Sequence, residues 1–223
     1  MEVYSNPLPD IETYQERNNP YLHSPNSNYD ISFYQTRESL MDIEEYRKFL
    51  RNCETRFRRS TTYSNYKGFL IGLGMNRCQI HGFINTEMSG VSIEMHHAIL
   101  TLFDITLLIT ENLLNTVGFV TTFDVVQALK EEHKMNNIAL VMLSKTPHQI
   151  YHDNTGDFFI HPSMCFGKWP ELLSRYKYGL TQDLAFKLLA YIKKAIDQEG
   201  TNTGELLVLR DKIKEWSGYY ANL

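Results

Sequence analysis

Cysteine is scarce in this chain. The three residues, Cys53, Cys78 and Cys165, are odd in number and far apart. That excludes a disulfide framework, which needs even pairing, and fits a reducing, intracellular compartment. Long apolar runs are lacking as well. The stretch from Ala98 to Ile109 is interrupted by Thr101, Asp104 and Thr106, too short and too polar to span a bilayer, so no membrane partner is expected. The opening Met1-Glu2-Val3-Tyr4 brings no apolar core segment, so no signal peptide is expected either. Nor is there an excess of positive charge: 22 Lys and Arg stand against 26 Asp and Glu, a formal net charge of -4. Coating of nucleic acid through bulk charge is thereby excluded, and any such contact must come from a local basic surface or a metal. What is present is a globular balance, 43% hydrophobic and 22% charged, which rules out a disordered tail or a polyelectrolyte. With 14 Tyr and 12 Phe the chain has material for a sizeable core.

Residues 1–37 contain Asn-Pro twice and Ser-Pro once, and carry neither helical nor strand periodicity. They read as an extended arm that either wraps its own domain or docks to a protein partner. A helical lead-in is expected over 38–77. Ser39 reads as an N-cap with Asp42 in the first turn, and Leu40, Ile43, Tyr46, Phe49, Leu50, Cys53 and Phe57 follow at helical spacing. Arg56, Arg58 and Arg59 close this helix, either as a complement to its dipole or as a small phosphate-facing patch.

Two strands are expected next, over 78–84 and 91–97, joined by a turn. In the second, Val91, Ile93 and Met95 take one face and Ser92, Glu94 and His96 the other. Helices are expected from Leu102 to Leu114 and from Thr121 or Thr122 to His133. In the second of these His133 reads as a cation complementing the dipole. The apolar run 138–143 reads as a strand, and Thr146-Pro147 as the start of a short helix. Helices over 169–176, 181–198 and 204–216 complete a C-terminal helical region, 161–223. The fold class is α+β.

The histidines are placed in pairs. His96 and His97 are adjacent at the end of a strand, while His148 and His152 lie four apart, so their rings leave the same face of a helix. An i, i+4 pair is a common way to present two nitrogen ligands to one divalent ion.

Three strings together, Ile93-Glu94-Met95-His96-His97, Asn137 with the apolar run after it, and Thr146-Pro147-His148-Gln149-Ile150-Tyr151-His152, resemble the motif of the HNH endonuclease family with its ββα-metal fold. The resemblance covers an HNH-like unit at 78–160 with a helical insertion at 102–133, and the Asn-, Tyr- and Ile-rich composition is similar in style to phage-encoded members. It implies that His96, His148 and His152 ligate a metal, that His97 is the general base that activates water, and that Asn137 keeps His97 oriented. The implied cofactor is one divalent ion among Zn, Mn, Ni and Mg, a transition metal being favoured by three imidazole ligands. The implied activity is hydrolysis of nucleic-acid phosphodiesters, DNA being favoured over RNA. The implied location is the host cytoplasm or a virion.

Three departures accompany the resemblance. The zinc-knuckle positions hold Cys78 and His81 on one side and Ser144 and Pro147 on the other, so a four-ligand structural zinc is not expected. Residues 98–136 separate His97 from Asn137 where the family has a short loop. A Pro soon after the doublet is also missing. These favour an alternative from another class: a non-catalytic structural or binding protein, for example of a phage particle, that uses the ββα unit as scaffold.

Overall fold

The computed structural model describes residues 34–153, 159–199 and 204–218, so the expected arm lies outside it up to residue 33. Helix α1, Ile43–Arg58, starts at Asp42, whose Oδ1 accepts from the backbone N–H groups of Glu44 and Glu45 at 2.8 and 3.0 Å. Ser39, the expected cap, instead closes the preceding turn, its Oγ accepting from Thr36 N at 2.9 Å. Glu44 and Glu45 at its start and Arg56 and Arg58 at its end complement the dipole, and Leu50, Cys53 and Phe57 form its buried face. Helix α2, Thr61–Gly72, is the second helix of the lead-in expected over 38–77, although Phe69, Leu70 and Ile71 run consecutively rather than along one stripe. Ser60 caps it and only Tyr66 and Leu70 are fully buried.

Strand β2, Ile93–His97, pairs antiparallel not with its sequence neighbour but with the later β4, Leu140–Ser144. His97 stands opposite Leu140, His96 opposite Val141 and Met95 opposite Met142. The expected strand at 78–84 is a turn, closed by Cys78 N donating to Ile84 O at 2.8 Å and by a bridge between Arg77 and Asn85. Gln79 supplies what a third strand would. Its backbone N–H donates to Met142 O at 2.8 Å, and its side-chain Oε1 accepts from Met142 N at 2.7 Å. Backbone and side chain of one residue together satisfy Met142 on the edge of β4 without a ladder.

Between the two strands come α3, Leu102–Thr116, the short β3, Phe119–Val120, and α4, Thr122–Lys134. Both helices open with complete capping boxes, Thr101 with Asp104 and Thr121 with Asp124. Strand β3 pairs antiparallel with β1, Gln35–Thr36. Next to it Arg37 grips α3, donating to Glu111 Oε2 at 2.9 Å and Asn115 Oδ1 at 2.8 Å, while the Tyr46 hydroxyl donates to the other Glu111 oxygen.

Helix α5, Lys145–Asp153, follows β4 without a loop and packs on both β4 and β2. Helices α6, Trp169–Arg175, α7, Gln182–Glu199, and α8, Gly204–Ser217, close the other side. Every residue of β4 is buried, so it lies at the centre of the core with Ile93, Met95, Leu129 and Ile138. The chain returns to β4 at Phe166, and at Gly167 (φ 108°) a Cβ would stand 2.0 Å from Ile138 O. Only glycine fits that approach. The class is α+β, mostly helical with short antiparallel strands. Among the described residues no helix is long and apolar enough to cross a membrane.

Candidate functional site

The pleat of β2 sends its histidines in opposite directions. Glu94 and His96 leave one face, toward α5. There His148 Nδ1 lies 2.6 Å from Glu94 Oε2, and the His96 and His148 rings meet edge to face with centroids 5.0 Å apart. His152 lies on the same helix, but its side chain is outside those described.

His97 leaves the other face and is buried. Its Nε2 lies 3.1 Å from Nε2 of His133, itself fully buried on α4. His133 Nδ1 is 2.7 Å from the Leu129 carbonyl, which can only accept, so Nδ1 carries the proton and Nε2 is the acceptor. His97 Nε2–H must then donate to His133. Burial, then the neighbouring His133 and Arg58, hold the His97 pKa well below the ordinary value of 6.5, and burial pushes His133 down to about 4. His133 is therefore a neutral core residue and not the dipole-complementing cation its position suggested. The Tyr63 ring stacks parallel to His97 at 6.3 Å.

A cavity of 320 Å³ opens over this junction of α1, α2, β2 and α5, with Arg58, Tyr63, Lys67, Glu94, His96 and His148 in its wall. Arg58 gives Nε and Nη2 to Glu54 Oε1 at 3.1 and 3.0 Å, and its Nη1 lies 3.5 Å from the Tyr63 hydroxyl. Sequence reasoning missed Tyr63, Lys67 and Glu94 as parts of the site, and no motif singled out the first two. Their i, i+4 spacing was the available signal.

Asn137 stands apart from the cavity. Its Nδ2 donates to Glu132 Oε2 at 2.7 Å, and its backbone N–H to Glu132 O at 2.9 Å. It fixes the loop between α4 and β4, while the ring of His97 is held directly by His133.

Among the described residues no three His, Cys, Asp or Glu side chains gather into a metal-binding group. Cys78 lies within hydrogen-bonding reach of the Ser144 side chain, so the two knuckle positions adjoin as thiol and hydroxyl. The order strand, strand, helix with histidines is present, which is why the motif resembles HNH, but such an order belongs to a topology and not to one chemistry.

No curated protein and no solved structure matches the chain. The family comparison overturns the HNH identification, because what matches nearly the whole chain is a family of a different kind, and the nuclease, hydrolase and metal-binding expectations lose the resemblance they rested on. Over residues 5–216 the sequence matches the family described as bacteriophage G278-like virion protein, and the chain belongs to that family.

Proposed function

We propose that this protein is a non-catalytic structural or binding component of the phage particle, in contact with other proteins there. The observation that carries the reading is the family match over residues 5–216. The side chains support it. His97 is tied to His133, Glu94 to His148, and Asn137 to Glu132, so polar groups of the ββα unit are engaged with one another or with α4. That is the arrangement expected of a rigid scaffold. We assign the contact with a neighbouring protein to the arm of residues 1–37, whose last residues are fastened to the domain through β1 and Arg37.

Particles purified through a density gradient and treated with nuclease and protease tests the assignment. Quantitative mass spectrometry should find the chain at a constant ratio to the other particle proteins, and a tagged chain lacking residues 1–33 should fail to enter particles. Recovery of the full-length chain only in the soluble lysate would sink the reading.

A further inference from the structure

The cavity between α1, α2 and β2 holds more cationic chemistry than the network beneath it uses. On one wall Glu94 Oε2 is engaged by His148 Nδ1 at 2.6 Å. On the other, Lys67 and Tyr63 lie one turn apart on α2 and face the cavity together. Lys67 makes no ion pair among the described residues. Arg58 commits one side of its guanidinium to Glu54 and turns Nη1 toward the Tyr63 hydroxyl at 3.5 Å, longer than a strong hydrogen bond. The N-terminus of α3 reaches the same cavity at Thr101 and Leu102, where the Asp104 carboxylate of its capping box already faces the helix dipole. Two permanent cations in the wall, Arg58 and Lys67, oppose a metal ion.

We propose that this cavity is an oxyanion-binding site for a phosphate group, held by Lys67 and Arg58 with the Tyr63 hydroxyl as a further donor. Lysine serves as a point charge and the free arginine edge as an oriented donor, the pairing that phosphate recognition uses. The volume of 320 Å³ leaves room for a substituent on the phosphate, so the group can belong to a free phosphate or monoester or to a nucleic-acid backbone.

Calorimetric titration of the full-length chain with inorganic phosphate, against chloride at matched ionic strength, tests the site. Saturable binding is expected, weakened at least tenfold in Lys67→Met, which keeps the aliphatic stem, and unchanged in Lys48→Ala, which removes a cation of α1 outside the cavity. A short single-stranded deoxyoligonucleotide that displaces phosphate in a Lys67-dependent way identifies the source as nucleic acid, and failure to displace it identifies a free phosphate or monoester. The proposal is overturned if phosphate gives no more heat than chloride. It is equally overturned if Lys67→Met binds as the unaltered chain does, or if Lys48→Ala weakens binding as much as Lys67→Met.

Discussion

Glu132 and His133 are neighbours on α4, both fully buried, and the fold treats them in opposite ways. Glu132 is surrounded by donors: Arg175 Nη1 and the Tyr176 hydroxyl at 3.0 Å on one oxygen, Asn137 Nδ2 at 2.7 Å on the other. His133 has one acceptor, one donor and aromatic walls from Phe57, Tyr63 and Tyr66. A carboxylate in the core needs partners, whereas an imidazole can shed its charge within the physiological range. The first solution ties α4 to α6 and the second ties α4 to β2. The buried polar groups therefore specify which elements meet around β4.

Breaking the first solution should have the largest effect. Glu132→Ala leaves the Asn137 amide and the Tyr176 hydroxyl without their acceptor and should cost about 3–5 kcal/mol, read as a lowered urea midpoint at unchanged slope. The second solution should fail through pH. Because the folded-state pKa values of His97 and His133 lie below 6.5, the unfolded chain takes up protons first as pH falls. Their contribution is complete above pH 6.5 and is lost on descending toward pH 4. His133 alone should lose about 3 kcal/mol over that window, at roughly 1.4 kcal/mol per pH unit. Unfolding titrations from pH 7 to pH 4 check the slope, which His133→Phe should flatten.

A double-mutant cycle sharpens the comparison further. His97→Phe and His133→Phe should each destabilise, but the pair together by about 1 kcal/mol less than the sum, since one hydrogen bond is lost twice in the singles. Additive costs would mean the two rings do not interact. The smallest effect belongs to the surface. Lys48 and Glu45 meet at 3.1 Å but are mostly exposed, and Lys48→Ala should change stability by less than about 0.5 kcal/mol.

Much of the local structure was legible. The helix starts expected at Leu102 and at Thr121 or Thr122 are where the fold begins these helices, each behind a capping box, and the apolar run before Ser144 is the central strand. The alternation in β2 correctly placed Glu94 and His96 on one face. The partner of β2 was not legible from periodicity, because the pairing joins segments far apart in the chain and no local pattern encodes it. The candidate site was legible in part. His96 and His148 do come together, but the motif that joined them pointed to a family to which the chain does not belong.

By itself the sequence determined where the helices from α3 onward begin, which run forms the central strand and which face of β2 is polar. These follow from capping chemistry, apolar runs and the two-residue period, all of which act within a few residues of chain. Only the tertiary structure decided that β2 pairs with β4 across residues 98–139, that His133 is a neutral core group, and that Arg58 and Lys67 share a cavity with His96. Those outcomes depend on burial and on contacts between distant segments, and the charge state of a histidine is set by the water it loses, which no local pattern records.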